Sequence, residues 1–259
     1  VETPYGAPSS DIRVGSLGGR RVAFLARHGE GHRLLPTEIP YRANVYALKM
    51  LGVSKVLAAS AVGSLREDLP PRSLVVPDQF LDRTRHRQDT FFGDGLVVHV
   101  SLAEPFSEGL RAVLLEAARA AGEHVTDGGT YLSMEGPQFS TRAESVFYKA
   151  SGCSVIGMTG VTEARLCREA ELAYANLNLV TDYDAWRPAE AGVDASEILE
   201  VLRHNSHVAT EVLRRAVPAV PREPLPANSV LQTAIITPLE TVPAETLERL
   251  GAILAPYLA

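Results

Sequence analysis

The chain has 259 residues, of which 46% are hydrophobic and 22% charged, with a formal net charge of −6 and two cysteines. A chain of this length buries roughly three quarters of its unfolded surface, so it needs neither a disulfide framework nor a structural metal, and two cysteines suit a reducing, cytoplasmic setting. The acidic balance and the lack of a basic run argue against a nucleic-acid partner, and no apolar stretch is long enough to span a bilayer.

Residues 2–11 (ETPYGAPSSD) read as turn rather than strand or helix. An apolar run at 20–26 (RRVAFLA) predicts a strand that stops at the glycine-broken RHGEGH. Helical spacing over 41–51 ends at Gly52, a fitting C-cap. Strands are predicted at 55–61 (KVLAASA), stopping at VGSL, and at 73–80 (SLVVPDQF), where the proline suggests an edge or a bulge. A helix follows over 105–121, opened by Pro105 and closed by Gly122. The stretch 128–136 predicts a strand running into a loop, 141–151 a helix closed by Gly152, and 153–158 (CSVIGM) another strand. The segment 162–173 has a capping Thr162 and helical charges. The run 174–180 (YANLNLV) is a buried strand, 196–217 a long amphipathic helix, and a proline-rich link leads to a last helical region. Continuous apolar strands alternating with helices predict an α/β fold: a single domain, with a mostly parallel mixed sheet flanked by helices.

In such sheets ligands sit beyond the carboxyl ends of the strands. The chain puts chemistry there four times: Arg27 and His28, Ser60 to Ser64, Met158 with Thr159 and Gly160, and Asp182 with Asp184. Arginine, histidine, hydroxyls and glycine-flexible amides suit an oxyanion, while two carboxylates suit a partner that donates hydrogen bonds. Each element also has a plain reading: Arg27-His28 as a surface turn, SAVGS as a strand-to-helix turn, and the aspartates as solvated caps. Other chemistry is excluded more firmly. His28 and His32 would need a helix to form a zinc pair, and the glycines of HGEGH oppose one. Ser140 and Ser145 lack a nucleophile elbow, and neither a P-loop nor a dinucleotide fingerprint occurs.

Several stretches together, PYGAPS, LARHGEGH, IPYRANVYALK, SAVGSLRED, DQFLDRT, AEPFSEGLR, MEGPQFSTRAES, GMTGVTEARLCREAELAYA and VTDYDAW, resemble the S-methyl-5′-thioadenosine phosphorylases, a branch of the trimeric purine nucleoside phosphorylases. The likeness runs from about residue 3 to 186 and more weakly to the end. It implies the reaction of methylthioadenosine with phosphate to give adenine and 5-methylthioribose 1-phosphate, with phosphate as co-substrate, no cofactor and no metal. It implies phosphate contacts from Arg27, His28, Ser60 with the Ala61 backbone, and Thr159. Asp182 would protonate N7 of the base and Asp184 would accept from its amino group, since two close carboxylates favour sharing one proton. Ser140 and Asp182 stand where the 6-oxopurine branch has Glu and Asn, which points to adenine. Phe139 and Met158 would pack against base and ribose. His99 would reach a neighbouring subunit's 5′ pocket, implying a homotrimer, and Ala195 and Ile198 would bed the methylthio group.

Two departures stand out. Thr162 replaces a proline of the family pattern and is expected to cap the helix instead. The family also opens with a β-strand and a glycine-rich phosphate loop, and the sequence as given starts at the turn that should follow them. The expectation is that those residues exist in the protein. The alternatives are a phosphorylase of adenosine or methylthioinosine, or a non-catalytic nucleoside-binding protein on the same fold.

Overall fold

The computed structural model describes residues 1–187 and 195–258, and the side chains of all of these except 195–199. After the N-terminal turn, β1 (Arg13–Leu17) and β2 (Arg20–Phe24) form an antiparallel hairpin. Then come α1 (Tyr41–Met50), β3 (Lys55–Ser64), β4 (Leu74–Val76), β5 (Gln79–Asp82), α2 (Glu108–Ala120), β6 (Val125–Asp127), β7 (Thr130–Ser133) and α3 (Arg142–Ala150). The chain continues with β8 (Cys153–Gly157), α4 (Gly160–Glu169), β9 (Ala173–Tyr183), α5 (Ala195–Ala219), α6 (Ala244–Arg249) and α7 (Gly251–Leu254). The strands β3 to β9 make one seven-stranded sheet in the order β5-β7-β8-β3-β9-β4-β6. The pairs β3–β9, β4–β6, β5–β7 and β7–β8 are parallel, and β3–β8 and β4–β9 antiparallel, so the sheet is mixed and mostly parallel, as expected.

Strand β9 shows why its sequence reads as one long apolar run. Its first eight residues are all buried, because helices cover both faces of the sheet. Ala173, Ala175, Leu177 and Leu179 face the layer built with Leu110 and Leu114 of α2 and Val208 and Val212 of α5. Tyr174 faces the other layer, with Val45 and Tyr46 of α1 and Ala164 and Leu166 of α4. The period of two is the pleat itself.

Several boundaries differ from the sequence expectation. The run 73–80 is two strands, broken at Pro77, and the halves diverge: β4 lies between β9 and β6, β5 on the far edge beside β7. The predicted stop at VGSL is absent, since β3 continues to Ser64 with an irregularity between Val62 and Gly63. SAVGS is therefore strand and not a turn into a helix. Helix α2 begins after Ser107, two residues beyond Pro105. Helix α4 starts at Gly160, so Thr162 does not cap it: Thr159 is the N-cap, and Thr162 is buried in the first turn with its hydroxyl unpartnered. Strands β1 and β6 were not predicted.

Strand β3 pairs with β9 along its whole length but with β8 only at Gly63 and Ser64. Between its other edge and the β1–β2 hairpin lies a cleft of about 670 Å³ with an apolar lining that includes Val14, Leu17, Val22, Leu57, Leu213 and Val217. Phe24 on the hairpin is 65% exposed. The central position of β3 thus coexists with only partial burial.

Candidate active site

The sequence expectation placed the site at a common end of parallel strands, and the register gives a more specific layout. Strands β3 and β9 end together, pairing Gly63 with Asp182 and Ser64 with Tyr183. Strand β8 meets them antiparallel, with Ile156 opposite Gly63. The chain after β8 therefore runs back alongside β3, and that direction carries Met158 and Thr159 toward Ser60. The site is a crossing, with one group of residues on each side of it.

Gly63 lies beneath both carboxylates. A Cβ added there would sit 3.4 Å from Asp182 Oδ1, 3.5 Å from Asp184 Cβ and 3.1 Å from Ile156 Cγ2. The two acids have distinct surroundings. Asp184 is buried, its amide donates to the Ser64 carbonyl at 3.0 Å, and its Oδ2 has no partner. An unpartnered buried carboxylate oxygen costs free energy unless a ligand donates to it, so the solvated-cap reading of Asp184 does not hold. Asp182 reaches the open mouth of the site and accepts a 2.6 Å bond from the Thr181 hydroxyl. The surrounding walls exclude enough water to raise its proton affinity above the ordinary carboxylate value; the Thr181 bond opposes this and the charge of Asp184 adds to it.

The oxyanion-type group gathers on the other side. Ser60 of β3 carries a buried hydroxyl oxygen with no partner. Ala61, next to it, is exposed. Thr159 caps α4 without using its side chain for a capping bond, and the amides of Thr159 and Gly160 donate to the buried Tyr131 hydroxyl at 3.4 and 3.3 Å. The positive end of the α4 dipole adds a half-charge suited to an anion. Arg27 enters from the loop after β2. Its Nη1 donates to the Ala59 carbonyl at 3.4 Å, and its Nε and Nη2 both bond to Glu163 of α4, the latter at 2.9 Å. Burial alone would lower the proton affinity of the guanidinium, but the charge and hydrogen bonds of Glu163 outweigh it and hold it above its ordinary value. The surface-turn reading fails for Arg27, because pairing to Glu163 across the core is no feature of a solvated turn.

His28 sits in a loop whose bends depend on Gly29 and Gly31, both at positive φ. Its Nδ1 lies 2.8 Å from the Leu34 carbonyl, which fixes Nδ1 as the protonated nitrogen of the neutral ring. Burial lowers its pKa, opposed by that carbonyl and reinforced by His32 and Arg27. The rings of His28 and His32 stack at 4.1 Å. Among the described residues no group of three or more His, Cys, Asp or Glu side chains is placed to hold a metal ion.

Of the residues expected at the base and sugar, Phe139 and Ser140 line a cavity of about 660 Å³ together with Arg85, Glu135, Glu144 and Phe147. Met158 packs on the cluster of Met134 and Ile156, and its sulfur lies against Gly136 of the loop between β7 and α3. The Ser140 hydroxyl reaches Met134 Sδ at 3.4 Å. His99 is exposed and its amide bonds to the Ala234 carbonyl, so within one chain nothing ties it to the aspartates. Ala195 and Ile198 fall in the first turn of α5, and their side chains lie outside the described residues. Sequence reasoning missed Glu163 and Gly63. The signal for Glu163 was an acid four residues after Thr159, on the same helical face as the strand end; Gly63 had only its position beside the serines.

Comparison with known proteins gives one consistent picture. The family described as "Phosphorylase superfamily" matches residues 1–218. An S-methyl-5′-thioadenosine phosphorylase from Geobacter sulfurreducens is 50% identical over 100% of this chain and 91% of its own length. One from Koribacter versatilis is 50% identical over 99% of this chain and 88% of its own. A crystal structure of a methylthioadenosine phosphorylase from an antarctic soil metagenomic library superposes with a TM-score of 0.95 at 49% identity, covering 98% of this chain and 90% of that one.

Proposed function

The chain belongs to the phosphorylase superfamily, and we propose that it cleaves S-methyl-5′-thioadenosine with phosphate, releasing adenine and 5-methylthioribose 1-phosphate. The observation that carries the reading is the pair Asp182 and Asp184 above one glycine, one acid with raised proton affinity and the other with an unpartnered oxygen. Adenine leaves easily only if its imidazole side gains a proton as the glycosidic bond breaks. Asp182 supplies that proton to N7 as general acid, and Asp184 accepts from the 6-amino group. Phosphate is bound by donors from Arg27, the Ser60 hydroxyl, the Ala61 amide and Thr159, while Nε2 of the neutral His28 ring accepts from a protonated phosphate oxygen. It acts as nucleophile and as counter-charge to an oxocarbenium-like sugar, so catalysis is mainly positioning and electrostatic stabilisation. Phosphate is the only co-substrate, and no organic cofactor or metal takes part.

Phe139, Ser140 and Met158 pack against base and ribose, and Ala195 and Ile198 against the 5′ substituent. The 5′ pocket is completed by His99 of a second copy within a homotrimer. The enzyme works in the cytoplasm, and among the described residues no helix is long and apolar enough to cross a membrane.

The test is adenine release from methylthioadenosine with and without phosphate, run beside adenosine and methylthioinosine. Rapid, phosphate-dependent release favouring methylthioadenosine is the expected result. Turnover without phosphate would sink the phosphorylase reading, and a preference for methylthioinosine would overturn the roles given to the two acids.

A further inference from the structure

The phosphate reading leaves one charged group unused. Glu163, in the first turn of α4, is as buried as Arg27 and engages it along the Nε–Nη2 edge of the guanidinium. Tyr174 of β9 donates its hydroxyl to Glu163 Oε2 at 2.8 Å. Burial pushes that hydroxyl well above its ordinary pKa, so it stays a donor. Cys167 packs nearby as a thiol whose pKa is likewise raised by burial, so it adds no charge. Three donors thus fix one carboxylate, and the carboxylate fixes the arginine.

An arginine carries five N–H donors in a rigid fork. Two go to Glu163 and one to the Ala59 carbonyl, which leaves one on each terminal nitrogen. We propose that Glu163 is a positioning residue for the phosphate site: it occupies one edge of the Arg27 fork and thereby aims the two remaining donors at the anion. The bidentate contact that suits an oxyanion is then offered end-on and already ordered, so phosphate binding orders no flexible guanidinium. Glu163 also offsets the charge of Arg27 when the anion is absent, so a buried cation is never left alone. Because Glu163 lies four residues after Thr159, the same helix carries the hydroxyl and the helix end that face the anion and the carboxylate that aims the arginine. A shift of α4 would move all three together.

This inference rests on the phosphorylase reading, and the experiment separates the two. Steady-state kinetics of the full protein are measured with phosphate and with nucleoside varied in turn, for wild type, Glu163→Gln, Tyr174→Phe, Arg27→Lys and the double variant Arg27→Lys/Glu163→Gln. Glu163→Gln is expected to raise the KM for phosphate about tenfold or more while the nucleoside KM moves less than about threefold. Tyr174→Phe gives the same pattern at a few-fold, and it decides the matter if Glu163→Gln does not fold. In the Arg27→Lys background Glu163→Gln adds less than about twofold, because its target is gone. Equal rises in both KM values, an unchanged phosphate KM in a folded variant, or full additivity would overturn the proposal. Wild type that turns over equally well without phosphate would overturn the parent reading and this one with it. Phosphate-dependent wild type with an unaffected Glu163→Gln overturns this one alone.

Discussion

Asp182 and Glu169 are both carboxyls held above their ordinary pKa by burial, yet their consequences differ. Asp182 stands at the mouth of the site, where a protonated carboxyl is a usable acid. With rising pH the protonated fraction falls, so under the proposed role the rate is expected to show an alkaline limb. Asp182→Asn is expected to lower kcat by about two to four orders of magnitude and to remove that limb, read from pH–rate profiles of both proteins. A variant that keeps the wild-type limb would take the proton-donor role away from Asp182. Glu169 ends α4 far from this chemistry, accepting bonds from Thr90 and the Phe91 amide, with its pKa pushed up to about 7 from 4.5. Here the consequence is stability. The unfolded chain gives up this proton first as pH rises, so the native state loses stability between the two values, and above pH 7 the full penalty stands. The shift corresponds to roughly 3–4 kcal/mol at most. Urea unfolding should therefore show Glu169→Gln gaining on wild type by up to that amount between pH 5 and 8. A pH-independent difference between the two would mean that this carboxyl is not the titrating group.

At the scale of elements, what matters is how strands meet. Gly63 has ordinary backbone angles, so its role is space: it lets β8 and the two aspartates converge on β3. In Gly63→Ala the new methyl would press on Ile156 Cγ2 at 3.1 Å and touch Asp182 Oδ1. We expect a stability loss of about 1–2 kcal/mol but a fall in kcat/KM for nucleoside of more than tenfold, because a small misplacement of reacting groups costs far more in rate than in folding. Unchanged kinetics would show that the acids do not depend on this approach. Strand identities were largely legible in the sequence, because continuous apolar runs such as CSVIGM and YANLNLV have few other uses. The split of 73–80 was not: Pro77 marked a break, but only long-range pairing decides that β4 and β5 go to opposite parts of the sheet. The hairpin strand β1 escaped because RVGSL is mostly exposed and shows no buried alternation. Candidate site residues stood out where they end or follow strands, as Asp182 does near the end of β9 and Thr159 after β8. The Arg27–Glu163 pair was not, since 136 residues separate the partners and nothing local in either segment records the other. The cap of α4 was misread because Thr162 looked like a capping residue, whereas the burial of Val161 and Gly160 against the sheet draws the helix start back to Thr159.

The whole molecule leaves apolar side chains where a lone chain would not. Phe139 is 80% exposed, Phe147 61% and Val146 50%, grouped at the start of α3 and on its outer face beside the 660 Å³ cavity. Isolated exposed hydrophobics are ordinary, but two phenylalanines on the rim of one cavity, next to the loop that carries Ser140, suit an interface. A closed ring of copies would cover this face and bring a second chain beside Phe139 and Ser140, as the proposed contribution from His99 of a neighbour requires. The homotrimer proposed above leads to one expectation. Sedimentation equilibrium should give three times the chain mass. Phe147→Glu should shift the protein toward monomer and raise the nucleoside KM at least tenfold, and His99→Ala should raise that KM while leaving the mass unchanged. A charged side chain at position 147 puts an unpaired charge into a desolvated contact, so its effect on assembly should exceed that of Phe147→Ala. If Phe147→Glu stays trimeric with normal kinetics, this face is free surface and the 5′ pocket is built by one chain alone.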